Sequence, residues 1–265
     1  MKKIVMFGIC GNMGVSISKE LIKEEGIELV GGFDIKNAGK DIGEFLTGEK
    51  TGYRIYDCRN DIKKLNPDII IDFTNADVAY ESINWAIDNN IDIIVGTTGF
   101  SRDELSAIER KSLKAKSKTF IVPNFSIGAV IMIKISKLIS KYFDNCEIIE
   151  MHHDKKKDAP SGTSLYSVEE ISQCKKFNES RLEEGENEII EGSRGGFKDG
   201  IHIHSVRLPG LMAHQNIIFG ARGQTLSIRH DSLDRSAFYP GVILAIKNID
   251  KIQNYTFGLD KLIDI

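Results

Sequence analysis

Lys3-Ile4-Val5-Met6-Phe7-Gly8-Ile9-Cys10-Gly11-Asn12-Met13-Gly14 is the stretch from which the fold is read. Its first five residues form an apolar run suited to a strand buried on both faces. After the glycines, Val15, Ile17, Ser18, Leu21 and Ile22 repeat with a helical period. Strand, glycine turn and helix follow in the order a dinucleotide site requires. Gly8 permits the tight turn, Gly11 lets the backbone approach a pyrophosphate, and Gly14 lets helix and strand pack closely. The spacing is G-x-x-G-x-x-G, with Cys10 where the usual fingerprint has its second glycine. A close-packed turn that holds no ligand is the competing reading of these residues alone.

The residues that follow favour the ligand. A second strand, Ile27 to Phe33, ends at Asp34, where an acid can accept the hydroxyls of an adenosine ribose, and this favours NAD. Lys36, two residues on, can instead neutralise a 2′-phosphate, so NADP stays open. From Lys36 to Tyr56 the chain reads as a surface loop with a short helical turn at Ile42, Phe45 and Leu46. Two further strand-helix units are predicted: Asp68 to Phe73 with a helix over Val78 to Asn89, and Ile91 to Val95 with a helix over Arg102 to Ala115. The alternation makes a parallel, doubly wound sheet whose strand ends line the ligand crevice. Phe73 can wall a nicotinamide ring there. Gly96 lets the backbone of Thr97 and Thr98 reach the adjoining ribose or carboxamide, although threonine at a strand end also caps helices.

Composition narrows the class. The 265 residues are 41% hydrophobic, enough for two ordinary domains with their own cores. A net charge of −3 gives no global attraction for polyanions, so nucleic acid is not expected as a partner and any anion site must be local. Cys10, Cys58, Cys146 and Cys174 lie far apart, which argues against a disulfide framework or a zinc site and suits a reducing cytoplasm. The strand pattern begins within a few residues of Met1, leaving no room for a signal peptide. No apolar run approaches ~18 residues, and no membrane partner is expected.

Past the strand Thr119 to Val122 the composition changes at Pro123-Asn124-Phe125-Ser126, where Asn124 is a candidate cofactor contact. A helix over Ala129 to Tyr142 leads to Glu150-Met151-His152-His153-Asp154-Lys155-Lys156-Lys157-Asp158-Ala159-Pro160-Ser161-Gly162-Thr163. If the preceding run is a strand, His152 and His153 point to opposite faces at its end. Ser161 can cap a helix begun by Thr163, leaving the N–H groups of Gly162 and Thr163 at a positive helix end suited to a carboxylate or phosphate. Lysine adds charge and histidine a proton donor near neutral pH, the ingredients of an anion site with acid catalysis. A solvated basic turn is the alternative.

Lys175 to Asp199 is charged and reads as a mobile excursion. Three alternating runs follow, Gly200 to Arg207, Gln215 to Phe219 and Gln224 to His230, and predict a sheet with one covered face and a tendency to self-associate. His202, His204, His214 and His230 lie in it without metal-ligand spacing, so no metal is predicted and hydrogen-bonded sheet residues are expected. Arg235 opens a helix that returns to the first domain and is placed at the hinge, near cofactor or substrate. The predicted architecture is α/β: a Rossmann-type doubly wound parallel sheet, residues 1–125 plus 236–265, and an α+β domain with an open mixed sheet, residues 126–235, for substrate binding and oligomerisation.

The glycine turn, Gly96-Thr97-Thr98-Gly99, Pro123 to Ser126, His204 to Gly210, Gly223 to Arg235 and above all Glu150 to Thr163 closely resemble the bacterial 4-hydroxy-tetrahydrodipicolinate reductases, or dihydrodipicolinate reductases, over nearly the whole chain. The resemblance implies NADH- or NADPH-dependent reduction of a cyclic dicarboxylate, with loss of water, in the diaminopimelate route to lysine, by a homotetramer built through the second domain's sheet. It implies that His152 donates the proton with Lys156 as partner. It further implies that His153, Gly162 and Thr163 contact substrate carboxylates; Ser161, their helix cap, is grouped with them. Cofactor contacts carried over are Gly8, Ile9, Cys10, Gly11, Asn12, Met13, Asp34, Gly96, Thr97, Thr98, Val122, Pro123, Asn124 and Phe125. Asn12 departs from the arginine of many relatives, a residue that helps hold the extra phosphate of NADP. Lys155 and Lys157 make this site more basic than in some of them.

Two other readings fit the bare residues. Another two-domain dehydrogenase of amino-acid or sugar metabolism would differ in its substrate panel. A non-catalytic NAD-binding sensor would bind NADH without oxidising it, and would have no need for paired histidines before a Pro-Ser-Gly-Thr turn.

Overall fold

Short apolar runs of Ile and Val with no polar face form strands covered on both sides, and helices between them keep those strands parallel. The computed structural model shows this alternation. β1 (Lys2–Phe7), α1 (Asn12–Leu21), β2 (Ile27–Phe33), α2 (Ile42–Leu46), β3 (Ile55–Tyr56), α3 (Arg59–Lys63), β4 (Ile69–Asp72), α4 (Ala76–Asp88), β5 (Asp92–Val95), α5 (Arg102–Ser112) and β6 (Thr119–Ile121) lead into α6 (Ile127–Ile139). Then come β7 (Asn145–His152), α7 (Gly162–Ser172), β8 (Gly196–Lys198), β9 (Ile201–Arg207), β10 (Ala213–Ala221), β11 (Gln224–Ser232), α8 (Tyr239–Asn248) and β12 (Tyr255–Phe257). The structure describes residues 1–177, 180, 182 and 185–265. It divides into two units, Met1–Phe125 with Phe238–Asp264, and Ser126–Ala237 with Ile265.

The first unit holds a seven-stranded sheet, β12-β6-β5-β4-β1-β2-β3, parallel throughout. The order runs one way from β1 to β3 and the other from β1 through β4 to β12, so the switch point lies beside β1. Ala79, Ile83, Ala86 and Ile87 line one side of α4 and pack with Val5, Ile70 and Ile93 in the core. Ser101 and Glu104 close a capping box at the start of α5. Gly8 has φ +77°, a left-handed turn that a Cβ would strain. A Cβ on Gly14 would lie 2.1 Å from the Gly8 carbonyl oxygen, so α1 rests directly on the turn.

The second unit holds a mixed five-stranded sheet, β11-β10-β7-β9-β8, in which only β7 and β9 run parallel. α6 and α7 cover one face through Met132, Ile133, Val168 and Ile171, packed on Cys146, Ile148, Ile203, Ile217 and Phe219.

Two segments differ from expectation. The loop at 36–56 ends in β3, which pairs with β2. A two-residue strand is too short to show a period, and its approach is set instead by Asp41, which accepts N–H groups from Glu44, Thr51 and Gly52. Those bonds, the Thr51 N–H foremost, hold its carboxyl down at about 2. Tyr255–Phe257, where no strand is predicted, adds a seventh strand beside β6. Of the charged excursion at 175–199, residues 178, 179, 181, 183 and 184 lie outside the described residues, and its last part forms β8 against β9.

The contact at Gly14 sets a test. Gly14→Ala must push α1 off the turn and should lower the unfolding free energy by about 2 kcal/mol or more. Gly11→Ala meets only the Gly8 carbonyl oxygen at 3.2 Å and should cost less than half as much. Urea unfolding of both variants measures the difference.

Candidate active site

The register of the parallel sheet assembles one group of candidate residues, within the first unit. Phe33 is aligned with Phe7, Phe7 with Asp72, Asp72 with Val95, and Val95 with Ile121. The next residues, Asp34, Gly8, Phe73, Gly96 and Val122, therefore form one row along the carboxyl edge, where such sheets bind ligands. The row is knit by backbone bonds from Gly8 N to Phe33 O, Phe73 N to Phe7 O, Gly96 N to Asp72 O and Val122 N to Val95 O. Phe73 packs tilted against Phe125 with ring centroids 5.6 Å apart, and a Cβ on Gly96 would strike its ring at 2.1 Å. Asp72, fully buried beneath the row, accepts hydroxyls from Thr74 at 2.7 Å and Thr97 at 2.9 Å. Burial pushes its carboxyl up against the pull of those bonds.

The glycine turn is tied to Asp34. The Cys10 N–H donates to Asp34 Oδ2 at 3.0 Å and the Lys36 N–H to Oδ1 at 2.9 Å. Cys10 Sγ lies 3.3 Å from the Lys36 carbonyl, and burial foremost raises its thiol. Ile9 is buried with its side chain against Gly32 and offers only its backbone outward. Gly11 caps α1, and the N–H groups of Asn12, Met13 and Gly14 have no acceptor among the described residues. Unpaired donors at a helix N-terminus, close-approach glycines and a carboxylate at the end of β2 fit the pyrophosphate and ribose of a nicotinamide dinucleotide. Thr98 and Pro123 are exposed at this edge, while Asn124 is half-buried.

Another group of candidate residues is built in the second unit, at the end of β7. Cys146, Ile148, Glu150 and His152 share the covered face of that strand, two residues apart. The apolar stripe turns polar at Glu150, which is wholly buried. His152 Nδ1 lies 2.5 Å from Glu150 Oε2. Arg207, at the end of β9, donates Nη2 to Glu150 Oε1 at 2.7 Å and Nη1 to Oε2 at 3.1 Å, and a further Nη2 bond at 2.7 Å goes to the Asp158 carbonyl. Burial alone would raise the Glu150 carboxyl, but bonds from His152, Arg207 and Ser205 outweigh it and hold it at about 2.

Beyond β7 the chain turns at His153, whose carbonyl accepts the Lys156 N–H at 3.2 Å. Lys156 Nζ meets both oxygens of Asp158 at 2.8 Å, and that contact holds the Asp158 carboxyl below its usual range. Ser161 is buried, and its hydroxyl accepts the Ser164 N–H at 3.2 Å. Its hydroxyl is thus spent on the cap, and the outward donors are the N–H groups of Gly162 and Thr163, which have no acceptor among the described residues. Gln215, register partner of Glu150 on β10, bonds Ser164 Oγ at 2.7 Å and Ser167 Oγ at 2.8 Å, fixing this end of α7 to the sheet.

The other sheet histidines have their own partners: His202 with the Arg194 carbonyl, His204 with Glu147, His214 with Asp231 and His230 with Ser126. Arg235 is exposed in the 3-10 turn Arg235–Phe238 and belongs to the second unit. Glu150, Arg207 and Asp72 were assigned no role from sequence. The signal for Glu150 was its spacing of two from His152 on one strand; Arg207 is brought to it only by the β7–β9 register.

A Rossmann-type unit with a dinucleotide edge, joined in one chain to a unit carrying an imidazole, ammonium groups and a helix end for anions, defines a nicotinamide-dependent oxidoreductase. Comparison with known proteins narrows the class. Residues 2–125 match the family model for the dihydrodipicolinate reductase N-terminus and residues 128–263 that for its C-terminus. The 4-hydroxy-tetrahydrodipicolinate reductase of Carboxydothermus hydrogenoformans is 44% identical over 99% of this chain and all of its own. That of Dictyoglomus turgidum is 41% identical over 100% of this chain and 98% of its own. A dipicolinate-bound dihydrodipicolinate reductase from Paenisporosarcina sp. TG-14 superposes with a TM-score of 0.87 at 35% identity, over 99% of this chain and all of that one. The chain belongs to the 4-hydroxy-tetrahydrodipicolinate reductase family.

The buried carboxylate sets an acid limit. A carboxyl lowered from the usual 4.5 to about 2 contributes stability that is fully present above pH 4.5 and is lost as pH falls toward 2. The contribution is about 3 kcal/mol. Urea unfolding between pH 5 and pH 3 should show a steeper loss in the wild type than in Glu150→Gln.

Proposed function

We propose that this chain reduces 4-hydroxy-tetrahydrodipicolinate to tetrahydrodipicolinate, with loss of water, in the diaminopimelate route to lysine. The observation that carries the reading is the His152 imidazole, held through Nδ1 by a buried carboxylate on the same strand that delivers Lys156 and the α7 N-terminus. The nicotinamide cofactor supplies a hydride when bound. The chain's own groups do the rest. Carboxylates of the cyclic substrate are held by the Gly162 and Thr163 N–H groups and by His153, at a helix end suited to anions. His152, with Nδ1 occupied, presents Nε2 as the proton donor, and Lys156 adds positive charge at the same site. Lys156 leaves Asp158 to do so, an exchange of one exposed carboxylate for another.

Gly8, Ile9, Cys10, Gly11, Asn12 and Met13 hold the pyrophosphate, with Asp34 at the ribose. Gly96 to Thr98, Phe73 and Val122 to Phe125 flank the nicotinamide end. Asp34 at the ribose, with Asn12 in place of an arginine, favours NADH, and Lys36 is a nearby cation for a 2′-phosphate. The family's activity on a small metabolite, together with the absence among the described residues of a helix long and apolar enough to cross a membrane, supports a cytoplasmic enzyme. The uncovered face and β11 edge of the mixed sheet support a homotetramer built through this unit.

An assay fed with the synthase product and followed by NADH absorbance tests the reading. His152→Ala and Lys156→Ala should each lower turnover by roughly 10²-fold or more while the proteins stay folded; near-normal turnover in both would remove these assignments. The cofactor proposal makes a separate claim: kcat/KM with NADH should equal or exceed that with NADPH. A strong preference for NADPH would mean that Lys36 outweighs Asp34.

A further inference from the structure

Glu150 has no exposed surface, yet it carries a charge on the covered face of β7. Each of its oxygens accepts from Arg207, and Oε2 also meets His152 Nδ1 at 2.5 Å. A carboxylate accepts at both oxygens, so the imidazole nitrogen facing it carries its hydrogen there. Arg207 in turn reaches past Glu150 to the Asp158 carbonyl, in the loop that bears Lys156. We propose that Glu150 is a positioning residue for the reduction: it fixes His152 with Nδ1 protonated and Nε2 directed outward, and Arg207 locks Glu150 and the Lys156 loop into one rigid unit.

This rests on His152 as proton donor. The physical case is that no other side chain of this shape can replace the carboxylate. Gln at 150 has one acceptor oxygen and one amide nitrogen, so it must set N–H against either an Arg207 donor or the His152 Nδ1–H. The second arrangement frees the imidazole to turn or to take the other tautomer; the first sets the amide against the guanidinium and loosens the pair that holds the carbonyl in place; both remove the full negative charge that faces Nδ1–H. The Gly162 and Thr163 N–H groups owe their positions to Ser161 and Gln215, not to Glu150. The effect should therefore fall on the proton and spare the anion contacts.

Three measurements test it. Glu150→Gln should lose about 10- to 100-fold in kcat, as partners of a functional histidine do. The affinity for dipicolinate, a ring dicarboxylate that needs no proton, should stay within about threefold. In the wild type, nitrogen-15 spectra of labelled histidine, assigned with His152→Asn, should show neutral His152 protonated at Nδ1. A folded Glu150→Gln with near-wild-type kcat overturns the proposal, as does a loss of dipicolinate affinity that matches the loss of kcat. An Nε2–H tautomer in the wild type overturns it even if the variant does not fold. Normal turnover of Glu150→Gln beside an inactive His152→Ala is a failure of this inference alone, whereas an active His152→Ala defeats the reading it rests on.

Discussion

The second unit depends on one buried charge. An ionised carboxylate removed from water is costly unless neighbours replace the lost hydration. Glu150 obtains those neighbours from two strands: His152 on its own, and Arg207 and Ser205 on β9. Satisfying the charge therefore holds β9 against β7 at this end, while Gln215 on β10 seats α7 there through Ser164 and Ser167. The same contacts place the imidazole, the lysine loop and the free helix N–H groups at one end of the sheet.

The first unit solves the opposite problem, keeping atoms away. Its edge works because side chains are absent where backbone must meet backbone: Gly8 against the Phe73 carbonyl, Gly14 against the Gly8 carbonyl and Gly96 under the Phe73 ring. Ile9 turns its side chain into the core, so that only peptide groups face the edge. Asp34 then stiffens the turn through the Cys10 N–H. A second glycine at position 10 is dispensable because position 10 contributes its N–H, and its side chain lies aside against Lys36 and Asn37.

These two kinds of constraint explain what could be read in advance. Apolar strands and their glycine turns are local signals, and one sheet register gathers Asp34, Gly8, Phe73, Gly96 and Val122 into the row expected of them. The paired histidines and the Pro-Ser-Gly-Thr turn are local as well. Arg207 was not legible, because it lies 57 residues from Glu150 and only a parallel pairing makes them neighbours. β3 and β12, at two and three residues, are shorter than any period they might display. Ser161 was legible as a cap because Ser before Gly-Thr at a helix start is a local signal, and it accepts the Ser164 N–H.

A buried negative charge beside a loop and helix end proposed to hold a doubly negative ring raises an electrostatic question. Glu150 and Arg207 are joined by two bonds and together form a dipole, whose field falls off faster with distance than that of a lone charge. His152 Nδ1 meets the same Oε2 that accepts from Arg207 Nη1. What an approaching carboxylate meets is then the loop, with Lys155 and Lys157 exposed and Lys156 held by a surface aspartate. In a chain of net charge −3 the proposed attraction for a dianion is confined to one loop and one helix end, while Glu150 is neutralised from within.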